Sequence, residues 1–315
     1  MKDELGKQIV KWRRDFHAYP ETGFLEIRTA SIVARILADL GFRLQLGKEV
    51  MAKEYCMGMP SEEEIKSHVQ WAKENGADFE FLPYFQEGFT GIVATWDTGK
   101  KGPVVAFRFD MDALPIHETE AEEHVPNSEG FRSRVPGVMH ACGHDAHTAI
   151  GLGLASFIAA HHGKLSGKIK LIFQPAEEGT RGAKSMVKAG VVNDVDYFIA
   201  THIGTGIPHR QFLAANNGFF ATSKLDIRFM GIAAHAGGEP EEGKNALLAA
   251  AAAALNIHAI SRHSKGASRV NVGELHAGSG RNIVPDHALT PVNCSNPFIY
   301  SSFLSFKTGG IRTFP

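Results

Sequence analysis

Hydrophobic positions in the first part of the chain follow two periods, one typical of helices and one typical of strands. Apolar residues recur at spacings of three and four over residues 4–18 and 27–40, which predicts two amphipathic helices. From residue 90 onward, short apolar runs alternate with helix-compatible segments, which is typical of an α/β protein. The predicted strands cover residues 90–95, 104–109, 168–173 and 197–200, and the predicted helices between them cover 148–161 and 181–190.

Residues 48–88 interrupt this pattern with a polar, mixed composition. Ser61 followed by three glutamates predicts an N-cap with an acidic first turn, which opens a helix that runs to about Asn75. We interpret the segment as a helical insertion carried on the first domain, with its acidic run facing solvent.

The pattern changes after residue 217, where alternating polar and apolar positions replace the continuous apolar runs. The elements predicted there are a half-buried antiparallel strand, an Ala/Leu-rich helix and a further strand, at 222–229, 246–263 and 268–276. Such a β-α-β segment is typical of an α+β unit. We therefore expect two domains, residues 1–217 and 218–288. Residues 289–315 contain no acidic residue and show no clean period, so we expect no structural element there that completes either domain.

Polar side chains follow three of the predicted strands at their carboxyl ends. They are Asp110 and Asp112, Glu177 and Glu178, and His202. In an open α/β sheet, that edge is where ligands bind. We therefore expect these five groups to converge, although they are far apart in the sequence.

The run from His140 to His147 adds three histidines, one cysteine and one aspartate. Imidazole, thiolate and carboxylate groups are ligands of divalent transition metals. A Pro-Gly pair precedes the run and an apolar segment follows it, so we interpret it as a ligand-bearing loop that leads into a helix. Among its histidines, His144 is the strongest ligand candidate, and His140 and His147 are weaker ones.

Two metal ions that share a bridging water lower the pKa of that water and polarise a carbonyl group. Hydrolysis also needs a carboxylate that is not a ligand, to take the proton of the water. Glu177 and Glu178 can divide these roles between them, and Asp112 can orient a ligand from behind. Two alternatives remain open. His202 alone suits a hydrogen-bonded core residue, and Cys142 could be a catalytic nucleophile rather than a ligand.

Composition excludes several other classes of function. The formal net charge is −1, so no basic field attracts nucleic acid or anionic lipid. No apolar run reaches membrane-spanning length, and the first residues lack the apolar core of a signal peptide. Cys56, Cys142 and Cys294 are too few and too far apart for a disulfide framework, which favours a reducing cytoplasm. We expect a cytoplasmic protein that acts on a small molecule, with no nucleic-acid or membrane partner.

Three motifs carry a family resemblance. They are Arg-Phe-Asp-Met-Asp-Ala-Leu-Pro at 108–115, Met-His-Ala-Cys-Gly-His-Asp-Ala-His at 139–147 and Gln-Pro-Ala-Glu-Glu-Gly at 174–179. They resemble motifs of the metal-dependent amidohydrolases of the M20 peptidase clan, in the branch of amino-acid-conjugate hydrolases, and the resemblance runs from about residue 8 to residue 287. Further stretches are most similar to the aminobenzoyl-glutamate utilization proteins of that branch, at 88–95, 170–182, 201–206, 267–273 and 278–285.

The resemblance implies an α/β catalytic domain in which helices flank a mixed, metallopeptidase-like sheet, together with an α+β lid domain that also forms a dimer. It implies two divalent metal ions, manganese or zinc. The implied metal ligands are Cys142, His144, Glu178 and His202. The implied general base is Glu177. The lid residue His235 is expected to reach the scissile carbonyl across the dimer, and Asn282, with Arg281, is expected to hold the substrate carboxylate.

The implied reaction is cleavage of the amide bond of an N-acyl or N-aroyl amino acid, with p-aminobenzoyl-glutamate as the expected substrate. The implied partner is an identical chain or a homologous subunit. Family members continue beyond the length of this chain, through the rest of the lid to a last metal-ligand histidine. We therefore expect residues 289–315 to be an aberrant tail, out of frame or truncated. The alternative to an active hydrolase is a catalytically impaired remnant that at most binds a metal or a partner.

Overall fold

The computed structural model describes residues 2–204, 206–208, 210–213, 221–261 and 268–296. The chain divides into two compact units, residues 1–208 and residues 209–315. The domain boundary predicted at residue 217 falls outside the described residues. Within the described ranges, no helix has both the length and the apolar character needed to cross a bilayer.

The first unit combines α-helices with a single sheet. Its helices are α1 (Lys2–Ala18), α2 (Ile27–Asp39), α3 (Glu62–Glu74), α4 (Val125–Ser128), α5 (His144–His161) and α6 (Ala183–Lys188). Its strands are β1 (Arg43–Leu46), β2 (Ile92–Asp97), β3 (Val104–Asp110), β4 (Lys168–Gln174) and β5 (Tyr197–Ala200).

These strands form one mixed sheet in the order β1-β2-β4-β3-β5. β2 is antiparallel to both β1 and β4, whereas β3 is parallel to both β4 and β5. The carboxyl ends of β3, β4 and β5 therefore meet at the same edge of the sheet. The predicted α/β fold, with helices flanking a mixed sheet, is confirmed.

The central strands are buried on both faces, which explains their nearly continuous apolar sequences. In β4, Leu171 and Phe173 belong to a core cluster shared with α1, α2 and α5, whereas Ile172 belongs to a second cluster that contains Met186 of α6. Residues of β2 alternate in the same way. The helices therefore cover both faces of the sheet, so a functional site is expected at the edge formed by the carboxyl ends of the strands.

The polar segment 48–88 begins its helix as predicted. Ser61 caps α3, because its hydroxyl accepts a hydrogen bond from the Glu64 amide at 3.2 Å and its own amide donates to the Glu64 carboxylate at 2.8 Å. This reciprocal pair satisfies two amides at the start of the helix. On its inner side, the segment contributes Ile65, Val69 and Phe85 to the same core cluster as α2. The insertion is therefore packed into the first unit.

Helix α5 begins at His144, four residues before the predicted start. Gly143 precedes it with φ of +84°, a left-handed conformation that glycine adopts without strain. The interpretation of the whole run as a loop is therefore wrong in part. Cys142 lies before the helix, whereas His144 and His147 lie in its first turn.

The second unit is an antiparallel sheet with one α-helix in its described part. Its elements are β6 (Ala221–Met230), α7 (Ala246–His258), β7 (Arg269–Val272), β8 (His276–Ala277) and β9 (His287–Asn296). The strand order is β6-β9-β7, and β8 also pairs with β9. The predicted β-α-β pattern is present, but the single strand expected over 268–276 is two short strands.

The expectation that no structural element follows Ala288 is wrong. Strand β9 pairs with β6 along one side and with β7 and β8 along the other, so it is central to the sheet. Ala288, Thr290 and Val292 are buried at every second position. This period of two is typical of a strand. The residues from 297 onward lie outside the described ranges.

Candidate metal centre

The carboxyl ends of the three parallel strands bring the polar residues of the sequence analysis together. Asp110, the last residue of β3, pairs in register with Gln174, the last residue of β4. Arg108 of β3 pairs with Ala200, the last residue of β5. The loops that leave these strands therefore start side by side and meet the amino terminus of α5.

The candidate ligand atoms form three groups that share His144, and one of them, Asp110-His144-His147, contains a histidine whose ring nitrogens are both hydrogen-bonded. Cys142 Sγ lies 3.4 Å from His202 Nε2. His144 Nε2 lies 3.9 Å from an oxygen of Glu177 and 3.9 Å from an oxygen of Glu178. Within each of the other two groups, Cys142-His144-His202 and His144-Glu177-Glu178, the ligand atoms lie within 4.8 Å of one another.

Hydrogen bonds at the Nδ1 atoms leave the Nε2 atoms of both histidines free to bind a metal. His202 Nδ1 lies 2.7 Å from the carbonyl oxygen of Ile203, so it carries the proton and donates. His144 Nδ1 lies 3.2 Å from Asp112 Oδ1 and donates in the same way. A neutral imidazole that donates from one nitrogen presents a lone pair on the other, which is the arrangement of metal-ligating histidines.

Two buried polar atoms at this position have no hydrogen-bond partner among the described residues. They are His144 Nε2 and Glu178 Oε1. Burying such atoms costs free energy unless another group pairs with them. Burial, together with the carboxylates of Glu178 and Glu177, also raises the pKa of the Cys142 thiol to about 12. A divalent cation would offset this negative charge and pair with both atoms, so the residues fit a divalent metal.

The pKa of His144 reports the same negative potential. Burial disfavours its charged form, but the hydrogen bond with Asp112 and the carboxylates of Asp110, Asp112 and Glu178 outweigh burial and raise the pKa of His144 to about 9. The potential that stabilises a proton on this ring would also attract a cation. At neutral pH the metal-free ring therefore also carries a proton on Nε2, which a divalent cation would displace when it binds there.

The other two histidines of the run are less suited to ligation. His147 Nδ1 donates to Asp110, and His147 Nε2 accepts a hydrogen bond from the Ile203 amide at 2.9 Å. Both ring nitrogens of His147 are therefore occupied, and the ring connects β3, α5 and the loop after β5. His140 is buried, and burial lowers the pKa of its ring to about 4, so it is neutral. His140 is in none of the ligand groups found among the described residues.

Asp112 contacts both acidic residues through their backbone. Its Oδ1 accepts a hydrogen bond from the Glu177 amide at 3.0 Å, and its Oδ2 accepts from the Glu178 amide at 2.9 Å. Oδ1 also accepts from His144. One carboxylate therefore orients a histidine and two successive residues of the neighbouring loop.

The Glu177 side chain is half-buried, and its carboxylate takes no part in the hydrogen bonds of Asp112. Burial, together with the nearby carboxylates of Asp110 and Glu178, raises the pKa of Glu177 above its usual range, despite the opposing charge of Arg108. A carboxylate with a raised pKa is a better proton acceptor at neutral pH. The local environment therefore suits a general base.

The sequence model of the peptidase family M20/M25/M40 matches residues 106–292, which is more than half of the chain. The chain belongs to the M20 peptidase family. The resemblance stated from the three motifs is confirmed. The match includes every residue of the three ligand groups and extends into β9.

Relatives of known sequence agree with the M20 assignment. The chain is 56% identical over 289 residues to the indole-3-acetyl-aspartic acid hydrolase of Enterobacter agglomerans. It is 55% identical over 290 residues to one of the p-aminobenzoyl-glutamate hydrolase subunits of Escherichia coli. Each alignment covers 92% of this chain and 66% of the relative. The chain thus spans about two thirds of the length of these M20 relatives.

A solved structure supports the fold of the M20 chain. The aminobenzoyl-glutamate utilization protein of Klebsiella pneumoniae superposes with a TM-score of 0.77 at 51% sequence identity. The superposition covers 94% of this chain and 68% of that protein.

The three candidate substrate residues all lie in the second unit. His235 forms an isolated bridge with Ile283, and the Ala236 amide donates to the carbonyl oxygen of Asn282 at 3.0 Å. The segment around His235 therefore lies alongside the segment that carries Arg281 and Asn282. The Gly237 amide donates to His235 Nδ1 at 3.2 Å, which leaves the proton on Nε2.

Sequence reasoning missed an ionic network behind the M20 site. His17 is buried, with Nδ1 2.8 Å from Asp145 and Nε2 2.8 Å from Glu118. Arg13 Nε lies 2.7 Å from the same oxygen of Asp145. Since Asp145 directly follows His144, the network ties the start of α5 to α1.

Proposed function

We propose that this chain is a metal-dependent amidohydrolase that cleaves the amide bond of an N-acyl or N-aroyl amino acid. The observation that carries the proposal is the convergence of a thiol, two imidazole nitrogens and two carboxylates at one sheet edge. The names of the two M20 relatives indicate substrates in which an aromatic acyl group is joined to aspartate or glutamate. p-Aminobenzoyl-glutamate is therefore the first candidate substrate.

The proposed cofactor is a pair of divalent metal ions, manganese first and zinc second. Their proposed ligands are Cys142, His144, Glu178 and His202. The ligand groups Cys142-His144-His202 and His144-Glu177-Glu178 adjoin each other at His144, and together they supply a thiol, two imidazoles and two carboxylates. When bound, such ions supply Lewis-acid polarisation of the amide carbonyl and lower the pKa of water. The mixture of thiolate, imidazole and carboxylate suits both metals.

The proposed chemical role of Glu177 is that of a general base. It takes a proton from the attacking water and delivers that proton to the departing amide nitrogen. Its raised pKa supports both halves of this role. Asp112 acts through its hydrogen bonds, since it fixes the His144 ring and the amides of Glu177 and its neighbour.

We further propose that residues 1–217 are the catalytic domain and that residues 218–288 serve as lid and dimerisation domain. His235 would donate from Nε2 to the scissile carbonyl of a substrate bound to the partner chain, and Asn282 and Arg281 would hold the substrate carboxylate. The exposure of all three side chains supports a role in contacts beyond their own unit. The partner would be an identical chain or a homologous subunit, and the compartment would be the cytoplasm.

A second candidate function is metal or partner binding without catalysis. The observation that favours it is that the candidate substrate residues His235, Arg281 and Asn282 belong to the second unit, whereas the candidate metal ligands belong to the first.

Hydrolysis of p-aminobenzoyl-glutamate distinguishes the two candidates. We expect the purified 315-residue chain, stripped of metal and reloaded with Mn²⁺, to release glutamate from this substrate. EDTA should abolish turnover and excess Mn²⁺ should restore it, because the water is activated by the metal. Indole-3-acetyl-aspartate serves as a second substrate with the same chemistry.

Two results would contradict the amidohydrolase proposal. Turnover that survives EDTA but is lost in Cys142→Ser would indicate a cysteine nucleophile. A folded, metal-loaded chain that hydrolyses neither substrate would favour the binding function.

A further inference from the structure

Besides that of Asp112, a second carboxyl group holds the loop that carries Glu177 and Glu178, and it belongs to Glu26 at the start of α2. Glu26 Oε1 accepts a hydrogen bond from the Ala176 amide at 2.8 Å, and Oε2 accepts from the Thr90 hydroxyl at 2.6 Å. Glu26 is completely buried. Its side chain therefore joins the connection between α1 and α2 to the loop after β4.

Glu26 occupies the N-cap position of α2 but does not cap that helix. The amides that an N-cap side chain would normally bind, those of Arg28 and Thr29, instead donate to Glu21 at 2.8 and 2.7 Å. Glu21 thus performs the capping, and the carboxyl group of Glu26 is directed to Ala176. Helix stability alone does not require an acid at position 26.

Ala176 is the residue whose conformation sets the direction of the loop. Its φ is +47°, which is uncommon for a residue with a side chain. Its carbonyl oxygen accepts hydrogen bonds from the amides of Arg181 and Gly182, at 3.1 and 2.8 Å. A Cβ atom at Gly23 would lie 2.9 Å from Ala176 Cβ, so the α1–α2 connection packs directly against this residue.

Three successive amides of this loop are bound by two buried carboxylates. The Ala176 amide donates to Glu26, and the amides of Glu177 and Glu178 donate to Asp112. Burial and the neighbouring charge of Asp112 raise the pKa of Glu26 to about 8. Keeping two buried acids this close together costs free energy. That cost indicates that Glu26 and Asp112 lie together because both bind amides of the loop.

We propose that Glu26 is a positioning residue for the hydrolytic site, because its hold on the Ala176 amide fixes the directions of the general base Glu177 and the ligand Glu178. The inference rests on the proposed function. It adds Glu26 to the groups on which that function depends. Glu26 lies outside the sheet edge and more than 80 positions before the first ligand group in the sequence.

The test compares three substitutions at position 26 by Mn²⁺ affinity and by kinetics. Glu26→Ala frees the Ala176 amide and should weaken Mn²⁺ binding and kcat by about 10–100-fold each, with KM nearly unchanged. Glu26→Gln should retain both within about threefold, because its amide oxygen still accepts from Ala176 and its NH₂ group donates to Thr90. Glu26→Asp keeps the carboxyl group but shortens the reach, so we expect an intermediate loss even if Glu26→Ala fails to fold.

Glu21→Ala is the matched control, since Glu21 is an equally buried acid of the same connection that contacts α2 instead of the loop. It should lower the thermal midpoint and leave Mn²⁺ affinity and kcat per folded molecule unchanged. The inference is overturned if Glu26→Ala or Glu26→Asp behaves like Glu21→Ala, or if Glu26→Gln is as impaired as Glu26→Ala.

The affinity measurement separates this inference from the proposed function. A wild-type chain that binds Mn²⁺ but hydrolyses no substrate contradicts only the proposed reaction, and the Mn²⁺ affinities of the variants still decide the role of Glu26. A folded wild-type chain that binds no divalent metal contradicts both.

Discussion

Glu177→Gln is expected to lower kcat by about 10²–10⁴-fold while the chain still binds Mn²⁺ with an affinity within about threefold of wild type. The amide of glutamine has nearly the shape of the carboxylate but cannot take a proton from water. The backbone amide at position 177 still donates to Asp112, so the loop keeps its conformation. Steady-state kinetics and Mn²⁺ titration of the same preparation measure both quantities.

The neighbouring substitution Glu178→Gln is the control for this assignment. It replaces a proposed ligand whose Oε1 is buried without a partner among the described residues, so Mn²⁺ affinity should fall by more than about tenfold. Glu177→Gln should therefore lower kcat and leave the Mn²⁺ affinity nearly unchanged, whereas Glu178→Gln should lower the Mn²⁺ affinity. Equal losses of metal affinity in both would show that Glu177 is a ligand rather than the base.

His17→Asn is expected to reduce the free energy of unfolding by about 3–5 kcal/mol. Both ring nitrogens of His17 face carboxylate oxygens, which only accept hydrogen bonds, so the ring carries two protons and a positive charge. Asparagine cannot bridge Asp145 and Glu118, and two buried acids would lose their shared partner. Chemical denaturation of both chains measures the difference.

The loss of unfolding free energy in His17→Asn should depend on pH in a defined direction. Burial disfavours the charged His17 ring, but its hydrogen bonds to Asp145 and Glu118 outweigh burial and raise its pKa. Its contribution is therefore fully present below the unfolded pKa of about 6.5 and is lost as the pH rises through the folded value. At Asp145, burial disfavours the charged form, but the hydrogen bond with His17 and the nearby positive charges outweigh burial and lower the pKa to about 2. The contribution of this pair to stability is therefore lost as the pH falls through that value. The difference should be largest between about pH 4 and 6.5.

His124→Gln is the matched control for the His17 prediction. His124 contacts the same oxygen of Glu118 at 2.8 Å, but its side chain is 28% exposed. Its loss should cost less than about 1 kcal/mol, because solvent screens the pair. A His17→Asn variant that costs no more than His124→Gln, or whose cost is independent of pH, would contradict the assignment of a buried charge.

The sequence predicted the convergence at the sheet edge because it depends on local patterns. Strands β3, β4 and β5 are short apolar runs, and the polar residues that follow them can be placed from a general rule of parallel sheets. Glu177, Glu178 and His202 could therefore be assigned to one edge before any contact was known. Ser61 and its helix were predicted for the same reason, since a capping box is local.

The residues that the sequence did not predict act through long-range contacts. The occupied nitrogens of His147 depend on the Ile203 amide 56 positions away, and the bond from Glu26 spans 150 positions. No spacing in the sequence indicates either contact. Strand β9 was missed for a local reason. Its burial alternates, but its sequence does not, since the buried Thr290 is polar and the less buried Leu289 is apolar. Pro291 also lies inside the run, and proline is unusual in a central strand.

Titration of the metal-free chain with Co²⁺ tests whether Cys142 is a metal ligand, because a cobalt–thiolate bond gives a near-ultraviolet charge-transfer band. We expect the band to appear in the wild type, to persist in Cys56→Ser and to disappear in Cys142→Ser. We also expect a weaker Co²⁺ affinity in His144→Gln and His202→Gln. A band that persists in Cys142→Ser, or no band in a folded wild-type chain that binds Co²⁺, would contradict the metal centre described here.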